Sequence, residues 1–501
     1  MKRTAAVAAL ALSLAAGPAP GAAPAASAAS GDGLDRFRGQ PLTWAACPGL
    51  DPAPEGLECT AVTVPLDYAR PHGRTIRLAV SRIRAAGPGK RRGILQTNPG
   101  GPGTRGLAVP ADVRAWMEPG TAAAYDVIGM DTRGLGASTP LDCGLERGTW
   151  LRSAGADRAG FEESLRMAKA DADACWREHP DVLPHLTTRN TARDMDLVRS
   201  VLGERKTSFF GQSYGAVLGA VYAQMFPGRV DRLVLDSAPD PAAYWMRTQQ
   251  AMGPAGERAL DEFAAWAARN PGHGLGSTAA DVRAAVEGLV RKAAERPIPV
   301  AGFHVDDHVL PLVLHAYGMD EADNALYAAA VRQLLDAADG RPVEASEDLR
   351  AVLTALLHPG ATGADVDLSA AMATVCGDVT TPRDPDWYRR AVERSRTAQP
   401  VFGPLVNGPV PCAFWRERPR EGFPEIGNDV PALQLQAAGD TRATYEGGLG
   451  MHRRMRGSRL VTVPVRTHGV LGSPHGPCAR QAANDYLRDG TLPARDTVCA
   501  P

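Results

Sequence analysis

The sequence predicts an α/β fold: a mostly parallel sheet flanked by helices, with a helical cap inserted into it. Three observations carry this expectation. Continuously apolar runs at 93–97, 125–131 and 230–235 alternate with helical patterns, as in sheets covered on both faces. Gly-rich or polar loops follow these runs, at the strand ends where such sheets hold ligands. Residues 241–427 then break the alternation with an Ala-rich, mainly helical stretch, and strand–helix alternation resumes at 428.

In chain order, Lys2 and Arg3 precede an apolar run at 5–16, and Ala26-Ser27-Ala28 offers a small-x-small cleavage site. This reads as a signal peptide over 1–28, too short to span a bilayer, so export is expected. Residues 31–40 read as a poorly ordered entry. Runs at 57–68 and 75–84 have strand character around a Pro71-His72-Gly73 turn, giving a leading antiparallel pair. A strand at 93–97 leads to a helix at 107–117. The spacing of Met195, Leu197, Val198, Val201 and Leu202 predicts a helix over 191–202 with Thr191 as N-cap. In the cap, helices are expected at 259–269, 279–295 and 321–338, with no strand repeat. The last elements are strands at 432–436 and 460–465 and helices at 445–455 and 478–487. The organisation expected is thus a first core part at 29–240, a cap at 241–427, and a second core part at 428–501.

Composition narrows the partners. The 501 residues are 44% hydrophobic and 22% charged, enough for a sizeable core. A net charge of −1 favours neither nucleic acid nor an anionic membrane. A monomer is expected, with no membrane association once the signal is removed. All eight cysteines (Cys47, Cys59, Cys143, Cys175, Cys376, Cys412, Cys478 and Cys499) lie beyond the signal, which in an exported chain suggests four disulfides. Spacing favours Cys47 with Cys59 and Cys478 with Cys499. No Cys-x-x-Cys occurs and no His-x-x-x-His accompanies the cysteines, so the metal reading is weak, and the serine chemistry read below needs no metal or organic cofactor.

Chemistry centres on Gly211-Gln-Ser-Tyr-Gly215, which lies between a strand and an apolar helix. Such a turn strains the backbone and lifts the serine clear of the sheet, and both glycines must be small. Ser213 is the candidate nucleophile, and the Tyr214 N–H, at a helix N-terminus, points to the same spot. A serine hydroxyl needs a base. His468 directly follows strand residues and is preferred to His475, which lies deeper in a loop. The base needs an orienting carboxylate. Asp440 closes the penultimate strand and is preferred to Asp236, which could equally be a turn cap. A second oxyanion donor is expected from the bare Asn98-Pro-Gly-Gly-Pro-Gly loop, with the Gly101 N–H as candidate.

Asn98-Pro-Gly-Gly-Pro-Gly, Asp131-Thr-Arg-Gly-Leu-Gly, Gly211-Gln-Ser-Tyr-Gly, Val64-Pro-Leu-Asp-Tyr and the Cys-containing tail together resemble the exported α/β-hydrolases of the tripeptidyl aminopeptidase group, relatives of the prolyl aminopeptidases. The resemblance implies Ser213, Asp440 and His468 as nucleophile, acid and base, and Gly101 and Tyr214 as the oxyanion hole. It also implies pairing of Cys376 with Cys412, leaving Cys143 for Cys175. One departure stands out: such enzymes often carry Thr-Pro soon after the acid, whereas Asp440 is followed by Thr441-Arg442-Ala443-Thr444. An aminopeptidase must hold a free ammonium group, and Asp378, beside Cys376, is a candidate. The expected substrate is a peptide with a free N-terminus. Rival readings are an esterase or amidase acting on a small metabolite, and a non-catalytic relic used for binding.

Overall fold

The computed structural model describes residues 33–87, 90–145, 149, 151–357 and 367–500. The expected signal peptide at 1–28 lies outside the described residues. The leading antiparallel pair is β1 (Leu57–Pro65) and β2 (Thr75–Ile83), in register from Leu57 opposite Ile83 to Pro65 opposite Thr75. β3 (Gly93–Asn98), β4 (Tyr125–Met130), β5 (Thr207–Gln212) and β6 (Val230–Asp236) follow. A small hairpin, β7 (Ile298–Val300) with β8 (Phe303–Val305), stands apart from the main sheet. β9 (Ala432–Ala437), β10 (Ser458–Val463) and β11 (Thr497–Val498) complete the chain.

The main sheet has the order β1-β2-β4-β3-β5-β6-β9-β10-β11. β2 meets β4 antiparallel, and every ladder from β4 to β11 is parallel. Every residue of β3 and of β9 is buried, which is why these strands read as unbroken apolar runs. Side-chain alternation splits the core in two. Ile94, Phe209 and Leu233 pack with Val217, Leu218 and Val221 of the helix Tyr214–Met225. Their neighbours Leu95, Phe210 and Val234 face the other way, towards Ala479, Ala483 and Leu487 of the helix Pro477–Asp489.

The inserted region has a core of its own. Phe263, Val286, Leu289, Val313, Val331 and Leu334 are buried together. The helix Ala279–Glu295 starts at a capping box in which Thr278 and Asp281 satisfy each other's amides.

Several local expectations change. Within 31–40, Asp35–Arg38 forms a helical turn, because Phe37 is drawn into the core. The helix expected from 191 begins earlier, at Thr188–Val201, and Thr187 caps it by accepting the Asn190 N–H. The helix expected at 259–269 is Met246–Arg269 and runs through Pro254. Burial of Gln249, Met252 and Ala255 outweighs the amide hydrogen bond that the proline removes. The 321–338 pattern divides into a 3-10 turn, Glu321–Asp323, and the helix Asn324–Ala338. The long helix Arg158–Glu178, the β7–β8 hairpin and the edge strand β11 have no counterpart in the sequence reading.

Four disulfides join Cys47 to Cys59, Cys143 to Cys175, Cys376 to Cys412 and Cys478 to Cys499. The second and third meet in one apolar cluster with Trp176, Met372 and Trp415.

Candidate active site

The turn after β5 is as tight as its sequence requires. Ser213 has φ 58° and ψ −121°, a strained conformation for a residue with a side chain. A Cβ on Gly211 would overlap the Gly215 carbonyl, and one on Gly215 would overlap the Asn98 carbonyl. The Ser213 N–H donates to the Asp236 carbonyl at 2.9 Å, which ties the turn to the end of β6. Tyr214 opens the following helix, where amides have no intrahelical acceptor.

The loop after β3 closes against this turn. A Cβ on Gly100 would stand 2.7 Å from the Gln212 carbonyl and 3.0 Å from Ser213 Cβ. Asn98 Oδ1 accepts the Gly100 N–H at 3.0 Å and shapes the loop. Gly101 takes φ +101°, which favours glycine there.

His468 arrives from the loop after β10. Its Nδ1 lies 3.0 and 2.9 Å from the two carboxylate oxygens of Asp440, which is itself buried. Asp440 Oδ1 also accepts the N–H groups of Arg442 at 2.8 Å and Ala443 at 2.9 Å, so its carboxylate is fixed. Gly469 packs on the Gln212 side chain with no room for a Cβ, so the histidine turn is seated against the serine turn.

The alternatives considered from sequence fall elsewhere. Asp236 accepts the N–H groups of Val470 and Leu471, both at 2.9 Å, and the Ser237 hydroxyl at 3.1 Å. It is a clamp on the histidine loop, and burial pushes its carboxyl upward. His475 stands 3.5 Å from Asp320, and it is His468 that pairs with Asp440. Asp378 requires a correction. It is buried rather than facing the substrate cavity, and its oxygens are occupied by the Thr188 N–H at 2.8 Å, the Thr188 hydroxyl at 2.5 Å and the Tyr244 hydroxyl at 3.2 Å. Burial first of all drives its carboxyl up to about 7. An ammonium group would have to displace this network, so the residue holds the cavity wall instead.

Ser213, Tyr214, Gly101 and His468 line one cavity of about 390 Å³. Its wall includes Tyr244, Trp245, Gln249 and Met252 from the start of the inserted region, and Met319 further along it. Gln212, Thr104 and Arg442 were not singled out from sequence. The only signal for Arg442 was the departure after Asp440.

The insertion is fastened to the histidine loop. Buried Arg466 donates to the Gly318 carbonyl at 2.8 Å, Asn324 Oδ1 at 3.0 Å and Glu262 Oε2 at 3.1 Å. The Thr467 hydroxyl donates to Asp320 at 2.6 Å.

A mostly parallel sheet with a strained serine turn after β5 and an acid–histidine pair in the loops after β9 and β10 defines an α/β-hydrolase. The α/β hydrolase fold family matches residues 97–283, and the TAP-like protein family matches residues 399–499. The chain is 33% identical to a tripeptidyl aminopeptidase of Streptomyces lividans, over 92% of this chain and 87% of that protein. It is 26% identical to the serine protease Hip1 of Mycobacterium tuberculosis, over 92% of this chain and 91% of that protein. It is 29% identical to a carboxylesterase B of the same species, over 88% of this chain and 86% of that protein. The chain belongs to the tripeptidyl aminopeptidase family of α/β-hydrolases, and it is a serine hydrolase of the peptidase type.

Proposed function

We propose that the protein is an exported aminopeptidase that releases short peptides, of tripeptidyl type, or N-terminal residues through an acyl-enzyme. Ser213 Oγ attacks the scissile carbonyl while His468 takes its proton. Asp440 holds the imidazole in the productive tautomer and stabilises its protonated form. The N–H groups of Gly101 and Tyr214 receive the oxyanion. His468 then returns the proton to the departing amine, and water hydrolyses the ester by the same route in reverse.

The observation that carries this reading is the Asp440–His468 pair, whose histidine opens into the cavity that Ser213 also lines. Four disulfides support an oxidising destination. Cleavage of a signal at 1–28, a cap at 241–427 and a monomeric state belong to the same proposal. The test is a peptide-library digest read by mass spectrometry. Cuts at a fixed short distance from a free amino terminus are expected, abolished by N-acetylation. Fluorophosphonate labelling that vanishes in Ser213→Ala is also expected, and its persistence would overturn the assignment.

A second reading, an esterase or amidase acting on a small metabolite, is favoured by one feature: among the described residues, no carboxylate lines the cavity to meet an ammonium group. Turnover of acyl esters without any turnover of peptidyl amides would establish it.

A further inference from the structure

The cavity wall is charged with one sign. Tyr214, Tyr244, Trp245, Met252 and Met319 give it a largely apolar surface, and its one permanent charge among the described residues is the Arg442 guanidinium. Arg442 is half-buried and lines the cavity. Its backbone is pinned, because its N–H donates to Asp440 Oδ1 at 2.8 Å. Its Nε donates to Met319 Sδ at 3.0 Å, and a thioether is a weak acceptor. Among the described residues no carboxylate forms an ion pair with it. Asp440 acts on it through space, but that carboxylate is already bound by His468 and two amides.

The fully buried arginines of this protein, among the described residues, meet carboxylates. Arg133 meets Asp194 at 2.7 Å, and Arg466 meets Glu262 at 3.1 Å. Asp440 apart, no carboxylate among the described residues acts on Arg442. His315, packed nearby and buried, is held neutral, first by its burial and then by the positive fields of Arg442 and His468. A half-buried guanidinium whose side chain has only a thioether as hydrogen-bond acceptor is incompletely satisfied, and a carboxylate arriving with the substrate would complete it with two parallel hydrogen bonds.

We infer that Arg442 is a specificity residue that binds a carboxylate of the substrate in the cavity of Ser213 and His468. The inference rests on the proposed function only in taking this cavity as the place where substrate binds. The carboxylate has two possible sources: an Asp or Glu side chain of the peptide, or the free C-terminus of a short peptide.

Two substrate series separate them, and a third tests the site with no peptide at all. The first compares tripeptidyl anilides ending in Glu with those ending in Gln. The second compares short peptides as free acids with their C-terminal amides. The third compares aryl hemisuccinate esters with the corresponding succinamates. A preference in kcat/KM of about tenfold or more for the carboxylate member is expected in at least one series, the ratio given by one charge-assisted hydrogen bond. A preference in the first or second series identifies the peptide source, and one in the third alone assigns the carboxylate to a non-peptide ester. In Arg442→Gln that ratio falls towards one. Equal rates within every pair for the wild type, or a ratio retained in the variant, would overturn the inference.

Calorimetry of glutarate and glutaramide with the wild-type protein tests it without catalysis or a folded variant. Binding of glutarate alone supports the site, and no difference between the two sinks it. Carboxylate preference among esters with no peptide cleavage would remove the peptidase reading and leave Arg442 in place. Peptide cleavage without such preference, and without glutarate binding, would do the reverse.

Discussion

At the scale of single residues, the site depends on backbone positions that only particular side chains tolerate. Ser213 holds φ 58° because the strand-to-helix turn on either side of it leaves no alternative. Gly211 has no space for a methyl group, since the Gly215 carbonyl already occupies it. Gly211→Ala is therefore expected to destabilise the fold by about 3 kcal/mol or more, at the upper end for one substitution, measurable by chemical denaturation. Asp440→Asn keeps the shape of the pair but presents the wrong hydrogen-bonding partner to His468 Nδ1. A loss in kcat of about 10⁴-fold is expected, with the melting temperature little changed. A loss below tenfold would move the orienting role to another acid.

At the scale of elements, the loops that carry the chemistry are held by neighbours that take no part in it. Asp236 ties the amides of Val470 and Leu471, one and two residues beyond the histidine turn, to the end of β6. Asp236→Ala leaves two buried N–H groups without acceptors, which costs about 1–3 kcal/mol for each, and should lower kcat by displacing His468. Asp131-Thr-Arg-Gly-Leu-Gly is explained in the same way. Asp131 accepts the N–H groups of Gly106 and Ala137, both at 2.8 Å. Arg133 joins buried Asp194 to the Leu66 and His185 carbonyls, both at 3.0 Å, and so staples the leading strand pair to the helix Thr188–Val201. Asp194→Ala strands that guanidinium, and a loss of about 3–5 kcal/mol is expected, seen in the urea midpoint.

At the scale of the molecule, the inserted region is bound into the site rather than resting over it. The helix Leu368–Asp378 carries Cys376, bridged to Cys412, and Asp378, whose partners Thr188 and Tyr244 brace the cavity wall. The Asp367 N–H donates to the Gly103 carbonyl at 2.7 Å, so this helix also presses on the Asn98–Gly103 loop. The raised carboxyl of Asp378 has a defined consequence for pH. Its ordinary value is 3.8 and its folded value about 7, so between these limits the folded state holds the proton more tightly than the unfolded chain. Its contribution is complete below pH 4, declines as the pH rises to 7, and is gone above that. Asp378→Asn should flatten the fall in melting temperature between pH 4 and 7 relative to the wild type. Equal slopes for the two proteins would show that Asp378 is ionised throughout.

The sequence by itself determined what is short in range. The serine turn was legible because its strain and its glycine requirement lie within five residues. The strand ends bearing Asp440 and His468 were legible because buried parallel strands are unbroken apolar runs that end in polar turns. Only the tertiary structure decided the rest. It set Asp236 to hold a loop, placed Asp378 behind the wall and bonded Arg466 to Glu262, Gly318 and Asn324. It also left Arg442 facing an apolar cavity without an anion. Each of these depends on groups far apart in the chain, and a side chain's partners across such a distance are chosen by packing and burial, which no local pattern records.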